Sequence, residues 1–141
     1  MPDLPGYVGI DVVPQAIERA RSRHPDRDYR VSDIRDFAED GFDLVILRDV
    51  IQHLTLEAGL TVVAKARAAG RYLLASTYSP GNNRGCSTAE LMRGGAYSND
   101  LTAPPFRLPK PVELIPDGYS YHDGDVIRDQ AKFLGLWGPD L

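Results

Sequence analysis

The segment Tyr7-Val8-Gly9-Ile10-Asp11 decides how the rest of the sequence is interpreted, because its apolar residues run directly into one carboxylate. A strand that is apolar on both faces is typical of a parallel sheet covered by helices. Pro14 comes shortly afterwards and suits the first turn of a helix. The segment therefore predicts a buried parallel strand that ends at Asp11 and leads into a helix.

Asp11 falls at the carboxyl end of that strand, which is the edge where open α/β sheets bind ligands. A carboxylate there can accept hydrogen bonds from two neighbouring hydroxyl groups, such as those of a ribose. Each bond to a charged acceptor contributes about 1.5–3 kcal/mol. We therefore expect Asp11 to hold a nucleoside-type cofactor. The alternative is an aspartate that only caps the helix beginning near Pro14.

Strand-like and helix-like segments alternate over the first 76 residues. That alternation predicts a parallel sheet with helices on its faces, joined by right-handed crossovers. Phe42–Leu47 is the most apolar strand candidate, and we expect it to lie in the core. The predicted elements are strands over 7–11, 28–31, 42–47 and 72–76, helices over 14–23 and 56–69, and a helical turn over 50–54.

The helix over 56–69 carries apolar residues at helical spacing, and we expect its buried face to hold Leu60, Val63, Ala64 and Ala68. The sequence after residue 77 differs. Residues 78–110 are rich in Gly, Pro, Asn and Ser and predict a long loop on the substrate side, with one helical turn over 88–92. Segments 112–115 and 132–137 predict an antiparallel strand pair at one sheet edge.

Length and composition restrict the class of protein. The 141 residues fit a single domain, 1–141, and the net charge of −4 without a basic face argues against a nucleic-acid partner. Cys86 is the only cysteine, which excludes a disulfide framework and a Cys-based zinc site. No signal peptide or membrane span is predicted, so we expect a cytoplasmic protein. We predict no metal site, and interpret His122, Asp123 and Asp125 as a solvated turn.

Taken in order, the motifs resemble those of a class I S-adenosylmethionine-dependent methyltransferase, and the tail resembles a bacterial subgroup of methyltransferase-like proteins. The resemblance implies a Rossmann-like α/β fold with a mostly parallel sheet and an antiparallel C-terminal strand pair. The matching motifs are Gly9-Ile10-Asp11, Ser32-Asp33-Ile34, 42–54, 71–77, 99–101, 104–106, 111–116 and 134–137.

The resemblance implies S-adenosylmethionine as cofactor and assigns residues to it by motif position. Asp11 would hold the ribose hydroxyls, and Ile10 and Val12 would flank the adenine. Asp33 would accept from the adenine amino group, with Ile34 against the ring, and Arg48 would line the methionine side. Asp33 could instead cap a turn before Arg35, and Arg48 and Asp49 could form a surface ion pair.

Other polar residues are candidates for the chemistry and for substrate contact. His53 could act as a general base, or could simply pack on the sheet. The substrate candidates come after the strand over 72–76 or lie in the long loop; they are Asn82, Asn83, Arg84, Tyr97 and Asn99. Residues of these types also build turns, which is the alternative for all five.

One departure from the family is large. The family's first strand and glycine-rich turn, with the following helix, normally precede Gly9-Ile10-Asp11, but the eight residues before Gly9 contain no Gly-x-Gly. That first strand lies between the second and fourth strands, so two apolar strands would lose a neighbour. Three interpretations are open. The chain is a truncated fragment, or another chain supplies the missing strand, or the protein is a degenerate relative that no longer binds the cofactor.

The sequence therefore predicts methyl transfer from S-adenosylmethionine to a small-molecule acceptor, impaired if the chain is truncated at its N-terminus. The alternative is a non-catalytic methyltransferase-like module that forms a homodimer or binds a partner. A nicotinamide-dependent oxidoreductase is a further possibility, because it also has an acidic residue after a strand that binds the cofactor's ribose. It is the weaker interpretation, because the run from Arg48 to His53 and the tail have no place in that pattern.

Overall fold

A computed structural model describes residues 5–119 and 131–139 of the chain. The chain divides into two compact units, Met1–Ala38 and Glu39–Leu141. Among the described residues, none of the helices has both the length and the apolar character that a membrane span requires. That the whole chain forms one domain stays a prediction.

The first unit is one strand–helix–strand motif. Strand β1 (Val8–Asp11) leads into helix α1 (Pro14–Arg23), and strand β2 (Asp28–Val31) pairs with β1 in parallel. Helix α1 buries Ile17, and the Arg21 guanidinium donates two hydrogen bonds, of 3.0 and 2.6 Å, to the carbonyl of Tyr29 in β2. The predicted strands and helix of this unit are confirmed.

The second unit is a four-stranded mixed sheet with helices. Its strand order is β3-β4-β6-β5, with β3 parallel to β4 and the other two pairings antiparallel. The predicted antiparallel pair at the C-terminal end is therefore confirmed. The elements are β3 (Phe42–Leu47), a 3₁₀ helix (Ile51–His53), α2 (Leu56–Ala69), β4 (Gly70–Ser79), α3 (Thr88–Leu91), β5 (Glu113–Tyr119) and β6 (Ala131–Trp137).

Helix α2 has the predicted bounds but not the predicted buried face. Its buried residues are Gly59, Val62, Val63 and Ala66, whereas Leu60 is 36% exposed and Ala64 and Ala68 are also exposed. The predicted face was taken from apolar spacing alone. Ile51 and Phe106 lie within ordinary van der Waals distance of Gly59, since a Cβ built there would meet them at 3.4 and 3.5 Å. The elements that pack against α2 therefore decide which face is buried.

Strand β3 is less buried than the sequence predicts. Leu47 is 4% exposed, but Leu44 is 43% and Ile46 is 56% exposed. Side chains alternate between the faces of a strand, so Leu44 and Ile46 share the face opposite that of Leu47. Within the residues that the structure describes, β3 pairs with β4 alone and β1 with β2 alone. Along the described ranges, each of these two strands is therefore paired on one side only.

Substitutions in β3 test this uneven burial. Ile46→Thr keeps a β-branched side chain at an exposed position, and we expect it to change the free energy of unfolding by no more than about 0.5 kcal/mol. Leu47→Ala leaves a cavity in the core and should lower it by about 2–5 kcal/mol. Urea denaturation of both variants measures the difference. Equal losses in the two variants would show that the open face of β3 is in fact covered.

Candidate functional site

Asp11 is exposed at the carboxyl end of β1. Its Oδ1 accepts a hydrogen bond of 2.8 Å from the backbone N–H of Val13, and within the described residues no hydrogen bond to Oδ2 is found. Val13 is the N-cap residue of α1, and the helix start has no side-chain cap. Asp11 therefore shapes the turn before α1 without capping its first amides, and one carboxylate oxygen remains available to a ligand.

Apolar residues are the neighbours of Asp11 along the chain and across the β1–β2 pairing. Val12 is 61% exposed and Val31, the register partner of Asp11 in β2, is 50% exposed. Ile10 is half-buried in β1. The carboxyl end of the first unit thus presents one carboxylate beside an exposed apolar surface.

Asp33 forms the turn that was the alternative to its cofactor role. Its Oδ1 accepts from the backbone N–H of Arg35 at 2.8 Å, and both carboxylate oxygens accept from the Arg35 guanidinium. These bonds hold the pKa of Asp33 below its usual value. Contact of Asp33 with adenine stays a prediction, and it requires the carboxylate to share its oxygens with Arg35. Ile34 is half-buried beside it.

Arg48 and Asp49 lie at the end of β3 and contact different partners, not each other. Arg48 Nη2 donates to Asp117 Oδ1 at 2.9 Å, whereas Asp49 Oδ1 lies 2.5 Å from Lys132 Nζ. Lys132 also lies 3.1 Å from Asp117, so the four side chains form one charged cluster. The bond from Arg48 outweighs the effect of burial and holds the pKa of Asp117 below its usual value.

The backbone of Asp49 is unusual, because its φ of 57° is in the left-handed region. Aspartate is one of the few residues other than glycine that adopt this conformation readily. The Asp49 N–H donates to Ser76 Oγ at 2.9 Å, and Gln52 Nε2 donates to Asp49 Oδ1 at 2.9 Å. Burial opposes ionisation, but the bonds from Lys132 and Gln52 hold the pKa of Asp49 below its usual value. Asp49 is thus fixed just beyond the carboxyl end of β3.

Asp49, Lys132 and Asp117 were not among the predicted site residues. Asp49 carries a local signal, since it comes soon after an apolar strand. Lys132 and Asp117 carry none, because they reach Asp49 and Arg48 only through the pairing of β5 and β6.

Three of the five substrate candidates are buried. Asn83 is 8% exposed, and its side chain bonds the main chain at Asp100 and Pro104. Asn99 is fully buried, and its Nδ2 donates to the Ser76 carbonyl at 2.7 Å. Both side chains fix the segment after β4 to the protein interior. Their predicted contact with substrate finds no support in this placement.

Tyr97 is also buried, at 1% exposure. Its hydroxyl would lie 3.5 Å from a Cβ built on Gly59 of α2, and within the described residues it has no hydrogen-bond partner. Burial raises the pKa of Tyr97 to about 12. This side chain therefore packs against α2, and its predicted contact with substrate also finds no support.

Asn82 and Arg84, the remaining candidates, are exposed. Asn82 Oδ1 accepts from the Arg84 N–H at 3.2 Å, and the Arg84 guanidinium donates to Glu90 Oε2 at 2.9 Å. Glu90 also closes a capping box with Ser87 at the start of α3. The bonds from Arg84 and then from Ser87 lower the pKa of Glu90 to about 2.

The lowered pKa of Glu90 predicts a pH-dependent stability of this segment. Ionised Glu90 stabilises the folded state fully above pH 4.5, its usual pKa, and this contribution is lost as the pH falls toward about 2. Glu90→Gln keeps the capping-box hydrogen bond but removes the charge. The variant should be less stable than the wild type above pH 4.5 and should approach it at lower pH. Urea unfolding across this pH range measures the effect, and a constant difference would contradict it.

His53 lies on the 3₁₀ helix that comes after β3, and its side chain is exposed. Its Nδ1 is 2.9 Å from the carbonyl oxygen of Gly95. Over the described ranges, no group of three or more His, Cys, Asp or Glu side chains could hold a metal ion. His122, Asp123 and Asp125 lie outside those ranges.

The N-terminal part of the sequence matches a family model. Residues 4–72, from before β1 to the start of β4, match the model described as "Methyltransferase domain". Residues 4–72, just under half of the chain, are thus similar to that family. No curated protein sequence matches the chain.

Solved structures of methyltransferases show the same fold. The N-methyltransferase NodS from Bradyrhizobium japonicum WM9, in complex with S-adenosyl-L-homocysteine, has a TM-score of 0.54 at 19% identity, over 91% of this chain and 65% of its own. Magnesium protoporphyrin IX methyltransferase (ChlM) from Synechocystis PCC 6803, with bound S-adenosylmethionine, has a TM-score of 0.58 at 13% identity, over 93% of this chain and 59% of its own.

A third similar structure is an O-methyltransferase of neocarzinostatin biosynthesis (NcsB1), in complex with S-adenosylmethionine and 2-hydroxy-5-methyl naphthoic acid. Its TM-score is 0.60 at 13% identity, over 93% of this chain and 41% of its own. The predicted Rossmann-like class I methyltransferase fold is confirmed by these likenesses. The chain spans less than two thirds of the length of each of these three proteins.

Proposed function

We propose that this methyltransferase domain transfers a methyl group from S-adenosylmethionine to a small-molecule acceptor. The observation that carries the proposal is the family match over residues 4–72, which includes Asp11 at the carboxyl end of β1. NodS, ChlM and NcsB1 were each crystallised with S-adenosylmethionine or S-adenosyl-L-homocysteine. The net charge of −4 argues against a nucleic acid as acceptor. We place the protein in the cytoplasm, as the sequence predicts.

The surroundings of Asp11 fit the ribose of such a cofactor. Its Oδ1 is held by the Val13 amide, so the carboxylate is oriented before any ligand binds. Its Oδ2 is available to accept from a ribose hydroxyl, and the exposed Val12 and Val31 beside it suit the apolar faces of a nucleoside. One free acceptor oxygen beside apolar side chains thus matches both the polar edge and the flat faces of that ligand.

Further cofactor contacts are proposed by motif position. Ile10 and Ile34 would lie against the adenine, and Asp33 would accept from its amino group. Arg48 would line the methionine side. When bound, the cofactor supplies a methyl group on a positively charged sulfur, and the protein's main contribution is to align the acceptor with it.

Replacing Asp11 tests the proposed cofactor site. Asp11→Asn keeps an oxygen for the Val13 amide but replaces the other acceptor by a donor, so the turn before α1 should persist. Loss of one hydrogen bond to a charged acceptor should weaken binding of S-adenosyl-L-homocysteine by about 10- to 100-fold. Isothermal titration calorimetry measures the dissociation constant directly.

Asp26→Asn is the matched control, because Asp26 is exposed in the same unit but lies beyond the end of α1. It should leave the affinity unchanged. Equal affinity of the wild type and the Asp11→Asn variant would remove Asp11 from the site. Absence of binding by the wild type would refute cofactor use by this chain.

A second candidate function is self-association as a non-catalytic module. It is favoured by β3, which within the described part of the chain pairs on one side only and which exposes Leu44 and Ile46 by 43% and 56%. An open apolar strand edge is a template for pairing with another strand. Two copies of β3 in antiparallel pairing, with Leu44 opposite Ile46 of the second copy, would bring no like charges face to face. In a homodimer of this kind, the β3 strand of each copy would gain a partner on its second side.

A charged residue at this edge tests self-association. Ile46→Lys should shift a dimer to monomer, because each copy would place an ammonium group at the apolar contact. Size-exclusion chromatography with light scattering gives the mass in solution. Met92→Lys is the control, because Met92 is 84% exposed and lies outside the sheet. A monomeric wild type, or a dimer that both variants retain, would exclude pairing through β3.

A further inference from the structure

The four-stranded sheet of the second unit has one buried face. Residues paired across neighbouring strands have their side chains on the same face, so the register assigns each side chain to a face. Four residues of one face are each no more than 4% exposed; they are Leu47, Leu73, Ala75 and Trp137. Helix α2 packs against β3 and β4, and this burial assigns α2 to the same face.

The opposite face of this sheet is apolar but exposed. Its apolar residues come from all four strands; they are Leu44, Ile46, Tyr72, Leu74, Leu134, Leu136 and Ile115. Leu44, Ile46 and Ile115 are 43%, 56% and 45% exposed, and the other four are partly exposed. A sheet that is apolar on both faces requires a packed layer on each of them. Within the described part of the second unit, only the buried face has such a layer.

The size of this exposed face fits a contact that forms reversibly. Four strands about 4.8 Å apart, with three rows of side chains about 6.6 Å apart, give a face of about 19 by 20 Å, or about 400 Å². Exposed apolar patches of several hundred Å² mark interaction sites. Two such faces in contact would cover about 800 Å² in total, whereas a stable protein interface covers about 1,200–2,000 Å². The face is therefore suited to a weak complex.

The twist and the charges of the face fit a second copy of the chain. Sheets that pack face to face keep their strands within about 30° of each other, and this angle comes from the twist of each sheet. Two copies of one sheet have the same twist, so their faces match. Glu113 pairs with Leu136 and places a carboxylate on the β5 side of this face. A two-fold axis along the strands would lay β5 of each copy over β3 of the other and keep the two Glu113 carboxylates at opposite edges.

We propose that the exposed face of this sheet binds the same face of a second copy, so that the two sheets pack as the layers of a sandwich. Leu44 and Ile46 of one copy then lie over β5 of the other copy, which carries Ile115. This contact uses the face of the sheet, whereas the strand pairing considered above uses the edge of β3. It does not depend on methyl transfer, and it gives both copies the second layer that the sheet lacks.

Two neighbouring residues of β5 test this contact. Ile115 lies on the exposed face, whereas Leu114 pairs with Gly135 and lies on the other face, and the two are 45% and 43% exposed. Sedimentation equilibrium of the full chain over a series of concentrations gives the dissociation constant of the dimer. Ile115→Lys would place an ammonium group of each copy in the apolar contact, so we expect it to raise that constant by at least about 10-fold. Leu114→Lys is the matched control and should leave it unchanged.

Folding of both variants is checked by circular dichroism and urea unfolding. If Ile115→Lys does not fold, Ile115→Thr replaces it, because threonine keeps a β-branched side chain and should still weaken the dimer.

Three results would overturn the proposal. A wild type that stays monomeric at its highest soluble concentration would leave the face to a different polypeptide. A dimer that Ile46→Lys disrupts but Ile115→Lys retains would instead show pairing through the edge of β3. Equal weakening by Ile115→Lys and Leu114→Lys would show pairing through the edge of β5, since the two residues share that strand but not a face.

Discussion

The second unit depends on β4, whose backbone is hydrogen bonded along both edges, to β3 in parallel and to β6 antiparallel. Pairing on both sides satisfies the peptide groups of a strand whose Leu73 and Ala75 are almost entirely buried. Each unpaired buried peptide group would cost about 1–3 kcal/mol. The same strand also fixes the segment beyond its end, because Asn99 bonds to the Ser76 carbonyl and the Tyr78 N–H donates to the Asn99 carbonyl.

The bounds of α1 and β3 were predictable because local chemistry sets them, whereas β4 and β5 run past the predicted ends at residues 76 and 115. Pro14 at the start of α1 and the apolar run of β3 are visible in the sequence, and the structure reproduces both bounds. Burial was not predictable in the same way. The exposure of Ile46 depends on which face of β3 the described residues leave uncovered, and the packed face of α2 depends on which side chains lie against it. Both are properties of the assembled unit.

The residues of the candidate site likewise differ in whether a local sequence pattern predicts them. Asp11 was predictable, because a carboxylate directly after an apolar strand is a local pattern. The charged cluster of Asp49, Lys132 and Asp117 was not, since it forms only through strands far along the chain. Polar residues in a glycine-rich segment resemble binding residues, but Asn99 satisfies buried main-chain groups instead. Sequence reasoning cannot separate these two uses of an amide side chain, because both need the same donor and acceptor.

The buried side chains of Asn83 and Asn99 also restrict which substitutions the segment after β4 can accept. Asn83 anchors the main chain from the inside, whereas its neighbour Asn82 and the nearby Met92 point outward. An outward residue can be exchanged without disturbing the anchor. Neighbouring positions in this segment therefore tolerate very different substitutions.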